Sequence, residues 1–226
     1  MMAGLTYNTD GTPKSFGALN GTEIGHCNNT GAVWTQNYNN SAGNKTGAFA
    51  GGIVGAIAGN TGDNNASIHD CTSSKGNLTN YRGCVGGIAA YASYTSLSNN
   101  TASQTITGNN NANAAAGIVG MATNSTSISD CTFTGSVGVV KNVAGICYSL
   151  DETSSISDCK VNGATITKGT NAGATEPAVL VSTASNEATI TDCGVKGTLK
   201  GAAITLDSNM VTTNNGATVT GTYLIE

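Results

Sequence analysis

Charge is scarce in this sequence. Only 10% of the 226 residues are charged and the formal net charge is −4, whereas an average soluble domain carries about 25% charged residues. Arg82 is the only arginine. Because nucleic acids are held mainly through clustered lysines and arginines, this composition argues against a nucleic-acid partner.

Long apolar segments and prolines are scarce too. No apolar run approaches the roughly 18 residues of a membrane-spanning helix, so we expect no membrane span. Residues 1–4 lack the basic segment and apolar run of a signal peptide, which we expect to be absent or missing from this stretch. With 2 prolines and little charge, the chain also lacks the composition of a disordered protein.

Small uncharged residues are abundant instead. The chain has 31 glycines, together with many Asn, Thr, Ser and Ala residues. Glycine and asparagine suit tight turns, and threonine suits strands, whereas few strong helix formers are present. This composition is typical of closely stacked β-structure.

A glycine-rich apolar phrase recurs along the chain. It reads Gly-Gly-Ile-Val-Gly at residues 51–55 and Ala-Gly-Ile-Val-Gly at residues 116–120. Its copies lie 25 to 35 residues apart, and a repeat of that period indicates a solenoid or a related architecture. The central aliphatic residues of the copies are Ile53, Ile88, Ile118, Ile146, Val179 and Ile204.

A second phrase, Ile-x-Asp-Cys, keeps step with the first. Residues 24–27 (Ile-Gly-His-Cys) resemble an earlier partial copy, and residues 97–100 (Leu-Ser-Asn-Asn) fill a missing slot. Two phrases that keep their order over several units indicate a true structural repeat. The cysteines at this position are Cys27, Cys71, Cys131, Cys159 and Cys193.

Each unit contains three short strand-like pieces bounded by Gly, Asn or Ser, and each piece is too short for a helix. Ankyrin and tetratricopeptide repeats have similar lengths, but they need amphipathic helices, which this pattern lacks. We therefore predict an all-β fold, a right-handed single-stranded parallel β-helix (solenoid) of about six irregular coils. We predict an N-terminal cap with an incomplete coil at 1–48, regular coils at 49–205, and closing strands at 206–226.

The apolar phrase resembles the GLUG-type repeats of bacterial surface adhesins and secreted proteins. Residues 52–55 and 117–120, both Gly-Ile-Val-Gly, fit that motif, and residues 128–135 fit the wider phrase. The resemblance covers about residues 49–205 and weakens in the last two units. It implies an exported, often modular bacterial protein, extracellular or at the cell surface, whose coils present a binding surface.

The aspartates of the second phrase predict a column of carboxylates. Such a ladder could bind Ca²⁺ through oxygen ligands, and Asp130, Asp158 and Asp192 are its weak metal candidates. The alternative is a turn cap, in which each aspartate, Asp70 included, bonds a backbone N–H two residues on. Asn99 fills the same position without charge, which favours the cap, so we predict no cofactor.

The recurrent cysteines have two interpretations. They are a metal or redox column, or a stack of small buried hydrophobic side chains. Neighbouring coils place Cα atoms about 4.8 Å apart, within disulfide range, but side chains in register point in parallel. Asn100 interrupts the column, and we favour stacking. Cys147 lies outside it and aligns with the core residues Val54 and Val119.

Aromatic rings are candidate sugar-binding groups. Trp34 precedes the regular coils, and Tyr81, Tyr91 and Tyr94 cluster near the first two units with Arg82 beside them. The tyrosines at 91 and 94 follow an apolar phrase in a polar stretch, and one interpretation places them at the surface. These five residues are the candidate ligand-binding residues. The alternative, which we favour, is that they cover the end of the coil stack or fill wide corners.

No catalytic residue is predicted. The chain has two histidines, His26 and His69, and no Ser-His-Asp or Cys-His arrangement follows from the spacing. Ice binding through rows of threonines is a further class. The threonines considered for it, which form no strict Thr-x-Thr row, are Thr123, Thr126, Thr132, Thr153, Thr183, Thr189 and Thr191.

The leading functional prediction is a non-catalytic surface or secreted binding module, adhesin-like, whose partner is a glycan or a host protein. The first alternative is a polysaccharide lyase or hydrolase on the same scaffold. The second is a structural spacer without a ligand. We also expect the chain to be part of a larger protein.

Overall fold

The computed structural model describes residues 6–7, 13–15, 22–35, 38–39, 45–46, 48–59, 66–80, 83–108, 112–138, 141–151, 153–170, 173–185 and 187–226. The regular secondary structure in these ranges is all β. They contain no helix, so none that could cross a bilayer.

The strands are short, as the glycine- and asparagine-bounded phrases predict. Those up to residue 51 are β1 Thr6–Tyr7, β2 Pro13–Ser15, β3 Glu23–Gly25, β4 Asn28–Asn29, β5 Val33–Thr35, β6 Tyr38–Asn39, β7 Lys45–Thr46 and β8 Ala48–Gly51. The next coil contains β9 Val54–Ala58, β10 Ala66–His69, β11 Thr72–Ser73, β12 Asn77–Asn80 and β13 Gly83–Gly86. The third group is β14 Ala89–Ser93, β15 Thr95–Ser98, β16 Thr101–Ala102, β17 Thr105–Gly108 and β18 Ala112–Ala116.

The remaining strands repeat this order, with fewer strands per coil from β24 on. They begin with β19 Val119–Thr123, β20 Ser127–Ser129, β21 Thr132–Phe133, β22 Ser136–Val137 and β23 Asn142–Ala144. The next are β24 Cys147–Leu150, β25 Ser155–Ser157, β26 Lys160–Ile166, β27 Val181–Ala184, β28 Thr189–Thr191, β29 Gly194–Leu199 and β30 Ala202–Ala203. The last are β31 Val211–Asn214, β32 Thr218–Thr220 and β33 Tyr223–Leu224.

Strands of successive coils pair in parallel and form four sheets. Sheet 1 is β3-β10-β15-β20-β25-β28-β32, and sheet 3 is β23-β18-β13-β8. Sheet 4 is β31-β27-β24-β19-β14-β9. Sheet 2 consists of the stacks β4-β11-β16-β21 and β5-β12-β17-β22, which merge at β26 and continue to β29 and β33. The predicted parallel solenoid is confirmed, with about five turns.

Parallel pairing extends beyond the range predicted for the regular coils. It begins at β3, which pairs with β10, and it still holds at β33, which pairs with β29. The segment after residue 205 therefore adds rungs to the existing stacks. Its strands β32 and β33 belong to different sheets and do not pair with each other.

A column of aliphatic side chains fills the interior behind sheet 1. Within each strand one aliphatic residue points inward and its two neighbours point outward, as the two-residue period of a strand requires. Complete burial of one such side chain contributes about 1.5–3 kcal/mol. In ladder order the column is Ile24, Ile68, Leu97, Ile128, Ile156, Ile190 and Val219.

Glycines line one corner of the coil because adjacent coils approach too closely for a side chain. A Cβ added at Gly52 would lie 2.1 Å from the carbonyl oxygen of Gly87, and one at Gly87 would lie 1.9 Å from that of Gly117. At Gly117 the same distance to the oxygen of Gly145 is 2.0 Å. This packing explains why glycine recurs in the apolar phrase. We call these four residues the glycine column.

We predict that Gly117→Ala destabilises the protein by about 3 kcal/mol through overpacking of the core. The new methyl group would meet both a main-chain oxygen and the Phe133 ring. Chemical unfolding followed by circular dichroism measures this loss. Gly31→Ala is the control, since its Cβ meets only the Asn29 side chain at 3.5 Å. Equal stability of the two variants would contradict the packing explanation.

Candidate functional site

One residue in each corner between sheet 1 and sheet 2 has left-handed backbone. Its φ lies between 52° and 54° at six positions along the stack. Short polar side chains tolerate this conformation because they can bond locally, which explains the recurrent Asp and Asn. The residues of this αL column are His26, Asp70, Asn99, Asp130, Asp158 and Asp192, and Gly221 (φ 68°) holds the equivalent place in the last coil.

The predicted cap hydrogen bond at these aspartates is wrong. The N–H two residues after Asp130 belongs to Thr132, and it donates to the carbonyl oxygen of Asn100 at 2.8 Å. The equivalent bond to the preceding coil recurs after Asp158 and Asp192. Main-chain pairing therefore uses the donor that a cap would need. The three carboxylates are exposed, and a calcium site there stays a prediction.

Both histidines of the chain meet at the N-terminal end of the αL column. The ring centroids of His26 and His69 are 5.4 Å apart and the rings are perpendicular, at 88°. His69 lies on the outer side of β10, in register with Gly25 of β3. A Cβ at Gly25 would lie 2.6 Å from His69 Cε1, so glycine at this position leaves room for the ring.

Two carboxylates flank His69. Its Nε2 lies 2.7 Å from Glu23 Oε1, and its Nδ1 lies 2.8 Å from Asp70 Oδ2. The Asn99 amide donates to the other oxygen of Asp70. Hydrogen bonds with Asp70 and then Glu23 raise the pKa of His69, while those with His69 and then Asn99 lower the pKa of Asp70. We call Glu23, His26, His69 and Asp70 the histidine cluster.

The cluster has the donors of a metal site. The potential ligand atoms of His26, His69 and Asp70 all lie within 4.8 Å of one another. No metal site was predicted at His26, His69 and Asp70, and Glu23 was not among the predicted site residues. The signal was present, because alignment of residues 24–27 with residues 68–71 places His26 beside Asp70 in adjacent coils.

The outer side of sheet 1 carries small hydroxyl side chains in two ladders. Because the inward residue between them is aliphatic, each strand reads Ser-Ile-Ser or a close variant. We call this surface the sheet-1 face. Its first ladder is Glu23, Ser67, Ser96, Ser127, Ser155, Thr189 and Thr218, and its second is Gly25, His69, Ser98, Ser129, Ser157, Thr191 and Thr220.

The outer side of sheet 2 carries a tryptophan beside hydroxyl and amide groups. Trp34 is 65% exposed and pairs in the ladder with Thr79, which pairs with Thr107. The two threonine hydroxyls lie 3.4 Å apart. We call this surface the sheet-2 face. Its neighbouring ladder, with similar uncharged groups, is Asn77, Thr105, Ser136, Thr165 and Thr198.

The structure does not gather the predicted aromatic residues into one site. Tyr91 lies on sheet 4 and is buried, which rules out the surface interpretation, since its ring packs against Phe49 and its hydroxyl lies 3.1 Å from Thr123 Oγ1. Tyr94 is half-buried and has a positive φ of 47°. Trp34 lies on sheet 2, away from both. Tyr81 and Arg82 lie outside the described residues.

The cysteine column is a stack of free thiols. All seven cysteines are unpaired, and six of them are buried, Cys27 being the exposed one. Burial raises the pKa of Cys193 to about 11, and that of Cys147, which aligns with Val119 in the core as predicted, to about 12. Asn100 fills the gap in the column, where its side chain accepts from the Cys71 N–H and donates to a carbonyl.

We predict that one thiol per native chain reacts with an Ellman-type reagent and that seven react after denaturation. The buried thiols lack access to the reagent, and burial disfavours the thiolate forms of Cys147 and Cys193. Cys27→Ser is the matched variant and lowers the native count to zero. Rapid reaction of two or more thiols in the folded protein would contradict the buried column.

A separate ion-pair cluster lies at the side of the later coils. Glu176 lies 2.5 Å from the Lys168 ammonium and 2.7 Å from that of Lys200. These hydrogen bonds lower the pKa of Glu176 to about 2. All three side chains are 40–50% exposed, and exposed ion pairs of this kind contribute little to stability.

The chain matches no family model, no curated protein and no solved structure. Its functional assignment therefore depends on the chemistry of its surfaces.

Proposed function

We propose that this chain is a non-catalytic, adhesin-like binding module of an exported protein, and that it holds an uncharged glycan against the sheet-2 face. The observation that carries the proposal is Trp34, which stays 65% exposed although it belongs to a regular ladder. An exposed aromatic ring among polar groups is characteristic of a recognition surface, because its apolar body gains from contact and its neighbours supply specificity.

The surroundings of Trp34 fit a sugar. Thr79, Asn77 and Thr105 are exposed and provide neutral hydroxyl and amide groups beside the ring. A sugar presents C–H groups on one face and hydroxyls around its edge, so it can stack on the indole and bond to these side chains. The ladder repeats such groups every coil, about 4.8 Å apart, which suits an extended ligand more than a compact one.

The histidine cluster supports the non-catalytic part of the proposal. A general base needs a free lone pair within reach of the substrate proton. Both ring nitrogens of His69 face carboxylates at hydrogen-bonding distance, which favours the protonated ring. Ser98 adjoins His69 in the ladder, but His69 in this state cannot activate a hydroxyl group.

We predict that Trp34→Ala weakens binding to the best ligand of a glycan array or insoluble-polysaccharide panel at least tenfold, as loss of a central tryptophan typically does. Leu206→Ala is the matched control, because Leu206 is also exposed, at 54%, but follows β30, which lies at the opposite end of sheet 2 from the β5 strand that holds Trp34. Unchanged binding by the Trp34 variant would contradict the proposed surface.

Two other outcomes of the same screen favour the alternatives. Release of shortened sugars would replace the binding module with a polysaccharide-active enzyme. No binding to any glycan would favour the spacer. Binding of the parent chain that survives EDTA would show that the glycan is held without a metal ion.

The sheet-1 face favours a second candidate, binding to a periodic solid such as ice. Its hydroxyls repeat about every 4.8 Å between coils and about every 6.7 Å along each strand. We predict that the parent chain slows ice recrystallisation and that Ser129→Lys, in the middle of the face, abolishes this effect. Ser103→Lys, an exposed position off the face, should retain it. No effect of the parent chain would exclude this candidate.

A further inference from the structure

The histidine cluster joins two coils through the chain's only histidines. His26 comes from the partial coil that contains β3, and His69 and Asp70 come from the following coil at the end of β10. We propose that His26, His69 and Asp70 bind a divalent transition-metal ion, for which zinc is the probe, and that the ion clamps the N-terminal coil onto the solenoid. This site is independent of the glycan proposed above.

The donor set suits such an ion. Two imidazoles and one carboxylate are typical ligands of zinc, with a water molecule completing a tetrahedron. Tetrahedral zinc with bonds of about 2.0–2.1 Å places its ligand atoms about 3.3 Å apart. The three donors already lie within 4.8 Å of one another. His69 and Asp70 have side-chain exposures of 24% and 37%, so an ion can reach them from solvent.

Outer hydrogen bonds already orient two of the three ligands. Glu23 accepts from Nε2 of His69, which leaves Nδ1 directed at Asp70. Asn99 holds the second oxygen of Asp70. Metal-binding histidines usually donate their other ring N–H to a carboxylate in this way. The ion would take the place of the proton shared between Nδ1 and the Asp70 carboxylate.

Other coils have the same scaffold without the histidines. At the positions of His69 and Asp70, later coils carry Ser98 and Asn99, then Ser129 and Asp130. Gly25 supplies the space that the His69 ring fills. The His69 ring therefore occupies space that Gly25 leaves open in the adjacent coil, an arrangement that later coils lack. The later coils also show that the backbone accepts serine at the position of His69 and asparagine at the position of Asp70.

The test is calorimetric titration of Zn²⁺ into the full chain after EDTA treatment and removal of the chelator. Cys27→Ser serves as the parent background, because the exposed thiol next to His26 is itself a zinc ligand. We expect one equivalent to bind with a dissociation constant in the micromolar range. Zinc bound to the folded coils should also raise the midpoint of thermal unfolding, by less than one-site binding alone would give, because the thiols that unfolding exposes also bind zinc.

The variants His69→Ser and His26→Asn should each weaken zinc binding at least tenfold and reduce the thermal shift. Both introduce the residue that a later coil has at the same position, Ser98 and Asn99 respectively, so the fold should persist, as circular dichroism will check. Gly25→Ala should weaken binding as well, because the added methyl group displaces the His69 ring.

A pair of aspartate variants separates this site from general carboxylate binding. Asp70→Asn should weaken zinc binding at least tenfold, whereas Asp158→Asn, in the same αL column but far from the histidines, should leave it unchanged. The proposal is overturned if the parent background binds no zinc, if His69→Ser binds as tightly as the parent, or if the two aspartate variants lose affinity equally.

Discussion

Close stacking of the coils is the constraint on which the rest of this structure depends. Each rung donates its main-chain N–H groups to the coil beside it, as Ile118 does to Ile146 and Thr132 to Asn100. That spacing leaves no room for a Cβ in the glycine column. At a second corner the backbone makes a left-handed bend, and Asp and Asn recur there. The residues that recur in the sequence are therefore explained by the needs of the backbone, and their recurrence alone does not indicate a chemical function.

This constraint separates scaffold from function. Inward positions hold aliphatic side chains and free thiols, and the corners hold glycine or αL residues, so little of the repeat is free to vary. Residues that could bind a ligand are therefore found at the outward positions of the short strands and where the sequence departs from the repeat. Trp34 and the two histidines are such departures, and all three belong to the first two coils. The uniform hydroxyl groups of the sheet-1 face are the background against which they stand out.

The parallel solenoid could be predicted because two phrases with fixed order leave few other architectures. The alignment of Cys147 with the core was predictable for the same reason, since register follows from the repeat. The role of the aspartates was not, because a cap and an αL bend favour the same residues and differ only in where the next N–H bonds. The sequence left two interpretations of Tyr91 open, because its polar sequence neighbours suggest a surface position but lie on a strand whose side chains are buried. Glu23 was not predicted because its ladder partner Ser67 lies in the next coil, and the coils differ in length, so no fixed spacing indicates this pair.

Deletion of one whole coil is the sharpest test of whether the stacking of repeated coils determines the fold. Val119 pairs with Cys147 in the next coil, so removal of residues 119–146 joins Ile118 to Cys147 without a change of register in any sheet. If stacking determines the fold, the shortened chain folds, with the parent's β-type circular dichroism spectrum and a cooperative unfolding transition. Removal of residues 119–132 alone, half a coil, should prevent folding, because every later strand would face the wrong stack. Loss of structure in the whole-coil deletion, with or without survival of the half-coil deletion, would contradict it.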